Sequence, residues 1–183
     1  MGRDKALLPW GDTTLLDHAI ARLRETCGAV RILCGSEERY LDRGVPVDRD
    51  DVSDLGPLGG LLTGLGRLET GPALFLAVDV PSIPAALLSH LIALAPGYDA
   101  VVPVLAAGPE PVCAVYLRNC LEPVRRRIAS GERTMTCFWP DVSVRQVREA
   151  ELAAFGDPAD LFRNVNTPED YERVSPGARV TEP

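Results

Sequence analysis

The chain has 183 residues, of which 46% are hydrophobic, and its formal net charge is −7. This size and apolar content suit a single domain, which we expect at residues 1–174, followed by a flexible tail at 175–183. The negative charge argues against a general nucleic-acid binder, because such proteins neutralise phosphates with lysine and arginine. Pro, Gly or Asp interrupts every apolar run before about 18 residues, so we expect no membrane partner. The charged pair in MGRDKALL lies where a secretory signal needs an apolar core, which favours a cytoplasmic location.

Apolar spacing along the chain predicts strands that alternate with helices. In chain order we expect helix 15–27, strand 30–34, a strand from 46–47, helix 56–68, strand 73–78, helix 85–95, strands 100–104 and 112–117, helix 121–129 and a last helix from 167–170. The run 73–78 is apolar throughout, which is typical of a central strand covered on both faces. This alternation predicts an α/β fold with a mainly parallel sheet and helices on both faces.

In such a fold, ligands bind beyond the carboxyl ends of the strands, so the polar residues that follow strands are site candidates. Asp79 directly follows the apolar run 73–78, and a carboxylate there could hold Mg²⁺ against phosphate oxygens. A turn or a helix cap is the alternative role for Asp79. The acidic group at 48–51 follows the strand predicted from 46–47 and is the second position that this rule selects.

Other polar residues could bind an anion or a metal. Lys5 lies in the stretch GRDKALLPWG, where a solvated surface lysine is the plain alternative. Arg133 lies in the loop segment SGERT, which suits an anion ligand better than a helical arginine does. Asn164 and Asn166 flank Val165, so their side chains point the same way if the backbone is extended. Their amides could complete a metal shell or hold a phosphate-bearing ligand, and a helix cap is the alternative.

Six segments occur in the order found in one enzyme family. They are MGRDKALLPWG, the acidic stretch before GPLGG, LAVDVPSIP, PEPVCAVY, SGERT and RNVNTPED. Together they resemble the molybdenum cofactor guanylyltransferases (MobA) over nearly the whole chain. The resemblance implies a Rossmann-like nucleotidyltransferase that uses Mg²⁺ and transfers GMP from GTP to the terminal phosphate of molybdopterin, releasing pyrophosphate. A recipient molybdoenzyme or its chaperone is a further candidate partner.

The resemblance assigns the nucleotide side of the site. Lys5 matches the lysine that contacts the triphosphate, and Asp50 matches the aspartate that recognises guanine. Gly56 and Pro57 open the nucleotide-binding segment GPLGG, and Asp79 matches the aspartate that contacts nucleotide and Mg²⁺. A carboxylate at Asp50 would accept hydrogen bonds from N1 and the 2-amino group of guanine, whereas the pairing edge of cytosine offers mostly acceptors.

The resemblance also assigns the molybdopterin side. Asn164 and Asn166 match the asparagines near the pterin and the metal, and Arg133 is expected to bind the pterin. The asparagine of the family that contacts the base would fall near Cys34, where this chain has no equivalent.

The opening signature of the family, LAGGxSxRMGxDKALL, extends upstream of Met1. The resemblance therefore implies a preceding strand and a glycine loop that binds phosphate through its backbone N–H groups. Our hypothesis is that the start codon is assigned too far downstream, and an intact mass that begins at Met1 in the native protein would contradict it.

Three other functions remain open at this stage. A molybdopterin cytidylyltransferase would not need an acid at Asp50, and a sugar-phosphate nucleotidyltransferase would turn over without pterin. A non-catalytic molybdopterin carrier would bind pterin without consuming GTP.

Overall fold

A computed structural model describes residues 4–165 and 170–171 of the chain. The described part begins with a turn of 3-10 helix at Lys5–Leu7, followed by a short hairpin of β1 (Pro9–Trp10) and β2 (Thr13–Thr14). The chain then enters α1 (Leu15–Thr26), where Oγ1 of Thr14 accepts a hydrogen bond from N of Asp17 at 3.1 Å. This N-cap satisfies a free backbone donor of the first turn and fixes the start of the helix where the sequence predicts it.

The next elements form a ribbon and a helix beside it. Strands β3 (Ile32–Leu33) and β4 (Val47–Asp48) pair in parallel, and α2 (Pro57–Arg67) follows them. Helix α2 packs close to both the ribbon and the larger sheet, because a Cβ on Gly64 would lie 2.6 Å from Cζ of Phe75 and 3.1 Å from Cδ1 of Leu33. A side chain at this position would force the helix away from both.

The larger sheet has five strands, and short helices connect or follow them. Its elements in chain order are β5 (Pro72–Leu76), α3 (Ala85–Ala93), β6 (Ala100–Leu105), β7 (Gly108–Pro109), β8 (Cys113–Leu117), α4 (Leu121–Ala129), β9 (Val144–Arg148), α5 (Glu149–Leu152) and α6 (Pro158–Leu161). Strand β8 lies between β5 and β6, while β7 and β9 both pair with β6. Residues 167–169 of the expected last helix lie outside the described residues.

The expected α/β fold with helices on both faces is confirmed, and its sheet is mixed. Strands β5, β6 and β9 run in one direction, whereas β8 is antiparallel to both of its neighbours and β7 turns back on β6. The prediction that 73–78 forms a central strand covered on both faces is wrong. Among the described residues β5 pairs only with β8, and it is half-buried along most of its length. An edge without a strand partner leaves this apolar run less covered than a central strand.

Two apolar clusters cover the two faces of this sheet. On one face, Val101, Val115 and Val147 pack with residues of α3. On the other, Ala100, Ala114 and Tyr116 pack with α2 and α4. Successive strand residues therefore alternate between the two clusters, as the period of two in a strand requires. No helix in the described ranges is long and apolar enough to cross a membrane.

Candidate nucleotide-binding site

An open cleft of about 420 Å³ lies beyond the carboxyl end of β4. Its lining residues are all polar or charged: Ser36, Arg49, Asp50, Asp51, Ser53 and Arg67. The backbone N of Asp50 donates to O of Gly35 at 2.8 Å, which holds together the two segments that leave β3 and β4. The cleft therefore lies at the carboxyl ends of two parallel strands, where ligands bind in sheets of this kind.

The carboxylate of Asp50 lies over the first turn of α2. A Cβ on Gly59 would be 3.0 Å from its Oδ2, and one on Gly60 would be 3.9 Å from its Oδ1. Oδ1 is buried and has no hydrogen-bond partner in the part of the chain that the structure describes. Burial, followed by the charge of Asp51, raises the pKa of Asp50. A buried acceptor without a partner is costly, and a ligand that donates to it would remove that cost.

Ion pairs frame the cleft around Asp50. Nη2 of Arg67 lies 2.7 Å from Oδ1 of Asp51 and its Nη1 lies 3.1 Å from Oδ2, so the pair is bidentate. Nε of the same guanidinium lies 3.2 Å from Oδ1 of Asp48. The backbone N of Asp51 donates to Oγ1 of Thr63 at 2.8 Å, and Thr63 is fully buried in α2. Asp48 and Asp51 are thus occupied by these partners, and Asp50 is the acid left for a ligand.

Gly56 and Pro57 determine how α2 starts. Gly56 has φ 56° and ψ −141°, which side chains of L-residues rarely adopt, and Pro57 occupies the first helical position, where its missing N–H is no loss. This turn brings the glycines of α2 against Asp50. In this structure, Gly56 and Pro57 set the start of α2 and do not line the cleft.

Asp79 follows β5 in a turn and is half-buried. Its carboxylate makes no hydrogen bond or ion pair within residues 4–165 and 170–171, and its backbone O accepts from N of Val165 at 2.8 Å. Val165 itself is buried against Trp10 and Leu15. This contact brings the segment that carries Asn164 to Asp79, and Asn164 is exposed. Asn166 lies outside the described residues.

Glu110 is a further candidate site residue, which the sequence analysis does not select. Its segment meets that of Asp79 because N of Ala77 donates to O of Val112 at 2.8 Å. Burial, followed by the charge of Asp79, raises the pKa of Glu110, and its carboxylate has no hydrogen bond or ion pair among the described residues. Glu110 lies in the segment PEPVCAVY, which the resemblance includes. This segment comes to lie beside β5 only because β8 pairs with β5 in the antiparallel direction.

Lys5 begins the 3-10 turn, and Asp4 caps this turn by accepting from N of Ala6 at 3.1 Å. Ala6 packs in an apolar cluster with Cys34 and Val78. The neighbours of these residues in sequence are Lys5 and Asp79, so one cluster anchors the segments of both candidate residues together with the end of β3. Cys34 is buried in this cluster, and its thiol donates to O of Asp48 at 3.2 Å. The side chain is therefore not exposed to contact a base.

Arg133 lies apart from these residues. Its guanidinium donates to O of Glu132 at 2.7 Å and O of Ile128 at 3.3 Å, both close to the carboxyl end of α4. None of its contacts is with a residue that lines the cleft. The structure thus brings the segments of Lys5, Asp50 and Asp79 together and leaves Arg133 outside that group.

Comparison with known proteins identifies the family of the chain. The family model described as the MobA-like NTP transferase domain matches residues 1–142. A probable molybdenum cofactor guanylyltransferase of Pelotomaculum thermopropionicum is 32% identical over 174 residues, which cover 95% of this chain and 85% of the relative.

Solved structures share the fold. The molybdopterin-guanine dinucleotide biosynthesis protein A of Archaeoglobus fulgidus superposes with a TM-score of 0.78 at 22% identity, covering 94% of this chain and 89% of that one. A Mycobacterium tuberculosis protein solved as a complex with manganese gives a TM-score of 0.65 at 20% identity, covering 93% of this chain and 90% of that one.

Proposed function

Because the chain belongs to the family of MobA-like NTP transferase domains and is a nucleotidyltransferase, we propose that it transfers GMP from GTP to the terminal phosphate of molybdopterin. The products are the guanine dinucleotide form of the cofactor and pyrophosphate. The proposal includes residues 1–174 as one catalytic domain, a cytoplasmic location, and transfer of the product to a recipient molybdoenzyme or its chaperone.

The observation that supports GTP is the free, buried oxygen of Asp50 in the cleft. A carboxylate has only acceptors, and guanine offers two adjacent donors, N1–H and the 2-amino group. Cytosine offers one donor beside two acceptors, so it would place lone pairs against the carboxylate. A charge-assisted pair with guanine would satisfy the buried oxygen, whereas cytosine would leave part of it unsatisfied.

Two carboxylates fit a divalent metal at the other end of the site. The charge of Asp79 contributes, after burial, to the raised pKa of Glu110, and neither carboxylate has a hydrogen-bond partner among the described residues. Mg²⁺ binds with one or two carboxylates, water and phosphate oxygens, so this pair suits it. When bound, the metal would supply positive charge to the phosphate oxygens of GTP.

The remaining candidate residues hold the substrates for a direct displacement. Lys5 neutralises charge that develops on the leaving pyrophosphate. Asn164, in the segment next to the turn that carries Asp79, binds molybdopterin together with Asn166 and Arg133. An oxygen of the molybdopterin phosphate attacks the α-phosphorus of GTP, the bond from this phosphorus to the β-phosphate oxygen breaks, and pyrophosphate leaves. No covalent enzyme intermediate is needed.

The test is Mg²⁺-dependent release of pyrophosphate from GTP and from CTP, with molybdopterin supplied. It is run on this chain and on a version extended upstream to include the glycine loop expected from the resemblance. We expect release that requires molybdopterin and prefers GTP. A preference for CTP would favour a cytidylyltransferase, release without pterin would favour a sugar-phosphate enzyme, and molybdopterin binding without release in either version would favour a carrier.

A further inference from the structure

Tyr40 is hydrogen-bonded to the residue that precedes Lys5. Its phenol O–H donates to Oδ2 of Asp4 at 2.6 Å, and Nη1 of Arg39 lies 3.5 Å from the same oxygen. The guanidinium of Arg39 also lies over the Tyr40 ring, with Cζ 5.4 Å from the ring centroid. Burial, followed by the hydrogen bond to Asp4, raises the pKa of Tyr40 to about 12, so the phenol keeps its proton at neutral pH.

The same carboxylate shapes the turn that carries Lys5. Oδ1 of Asp4 accepts from N of Ala6 at 3.1 Å and so caps the 3-10 turn Lys5–Leu7. A carboxylate fixed through one oxygen offers the other in a fixed direction. By holding this carboxylate, the O–H of Tyr40 helps to orient the 3-10 turn, and this turn orients Lys5.

The loop that carries Tyr40 is held at both ends. Nη2 of Arg39 donates to O of Cys34 at 3.3 Å, and Nη1 of Arg43 donates to Oδ2 of Asp17 on α1 at 2.9 Å. Tyr40 has φ 66° and ψ 25°, a conformation that a non-glycine residue keeps only where its surroundings fix it. Ser36, at the start of this loop, lines the cleft with Asp50. One loop therefore connects the cleft that contains Asp50, proposed to bind the base, with the turn that contains Lys5, proposed to bind the triphosphate.

We propose that Tyr40, supported by Arg39, is a positioning residue that holds Lys5, through Asp4, in register with the nucleotide cleft. The inference rests on the proposed function, because it takes Lys5 as a ligand of the triphosphate. It assigns a role to the loop 36–43 that follows from hydrogen bonds and not from contact with substrate. Tyr40 itself touches no reacting group.

The test is a double-mutant cycle between Tyr40 and Lys5, with magnesium pyrophosphate as the probe and its affinity measured by titration calorimetry. Tyr40→Phe removes only the hydroxyl group and keeps the ring under Arg39. We expect about fivefold weaker binding from Tyr40→Phe in the wild-type chain, since a hydrogen bond to a charged group is lost. In the Lys5→Ala chain, the same substitution should change the affinity by less than about twofold, because its effect passes through the lysine.

Tyr98→Phe is the matched control, since Tyr98 is exposed in the loop before β6 and should leave the affinity unchanged. Equal factors for Tyr40→Phe in both backgrounds, or unchanged affinity in the wild-type background, would overturn the positioning role. Absent pyrophosphate binding by the wild-type chain would overturn it as well. The probe contains neither guanine nor molybdopterin, so this result is independent of whether the chain prefers GTP or uses pterin.

Discussion

The carboxylate of Asp50 rests on the α-carbon of Gly59, because a Cβ at position 59 would lie only 3.0 Å from Oδ2 of Asp50. The same Cβ would lie 3.1 Å from the backbone O of Val52 and 3.2 Å from Cβ of Leu55. Two of these three neighbours cannot rotate away. The cleft acid and the first turn of α2 are therefore fitted to each other at a position where only glycine allows the approach.

Gly59→Ala should push Asp50 out of its place and weaken GTP binding. The added methyl group meets Asp50 and the backbone at Val52, so we expect a loss of stability of about 1–3 kcal/mol, as for overpacking in a core. Calorimetric titration with GTP and urea unfolding measure the two effects. Gly66→Ala is the control on the same helix, where the nearest neighbour is 3.9 Å away and alanine should stabilise by about 0.5–1 kcal/mol. Equal behaviour of the two variants would contradict the fit between Gly59 and Asp50.

Asp50→Asn should make the free protein more stable at neutral pH while it reduces the preference for GTP. The folded state raises the pKa of Asp50, so its stability contribution is fully present below the ordinary pKa of an aspartate and is lost as pH rises through the raised pKa. Asparagine has no such loss, and the stability difference between the variants should grow over this pH range. Urea unfolding from acidic to neutral pH measures it.

The binding part of this prediction uses GTP and CTP side by side. An amide at position 50 offers one acceptor and one donor, so it should bind guanine less well than a carboxylate does. A variant that is both less stable at neutral pH and fully GTP-selective would show that Asp50 is a structural residue. A more stable Asp50→Asn variant that binds GTP less selectively would show that Asp50 serves binding and lowers the stability of the free protein.

Asp79→Ala should lower turnover by about 100-fold or more, by analogy with the loss of one preorganised electrostatic group. The backbone O of Asp79 still accepts from Val165 in this variant, so the fold around it should remain. Asp160→Ala, which removes an exposed acid that pairs with Arg163, serves as the control and should keep wild-type turnover. Near-normal turnover of the Asp79 variant would remove this residue from the mechanism.

Glu110→Gln should raise the concentration of Mg²⁺ that half-maximal turnover needs. The carboxylate of Glu110 adds negative charge beside Asp79, and glutamine keeps its size without that charge. Turnover measured over a Mg²⁺ titration separates this effect from a lower maximal rate. An unchanged Mg²⁺ requirement would show that Glu110 takes no part in binding the metal.

Local patterns predicted α1 to α4 within about two residues at each end and did not predict the short helices α5 and α6. The bounds 121–129 agree with α4, and Thr14 caps α1 as its position suggests, because periodicity and caps act within a few residues. Strand β9 was missed because the two valines in Val144–Arg148 are three positions apart, without the period of two typical of a strand, and only Val147 is fully covered.

The candidate site divides in the same way. The position of Asp79 after a strand can be read from its own neighbours. That Oδ1 of Asp50 has no hydrogen-bond partner among the described residues cannot, because it depends on Arg67 pairing with Asp48 and Asp51. The place of Glu110 depends on β8 running antiparallel to β5, which no local pattern in PEPVCAVY specifies. Base recognition at Asp50 and metal binding at Asp79 stay predictions until they are measured.

The most direct test of the proposed reaction follows the α-phosphate of GTP. Molybdopterin is incubated with the protein, Mg²⁺ and GTP that carries radiolabel on either the α- or the γ-phosphate, and the products are separated. The account predicts that the α-label joins molybdopterin, that the γ-label leaves as pyrophosphate, and that Asp79→Ala slows both by about 100-fold or more. Label on molybdopterin from the γ-phosphate, or no label on it from either, would contradict nucleotidyl transfer to this substrate.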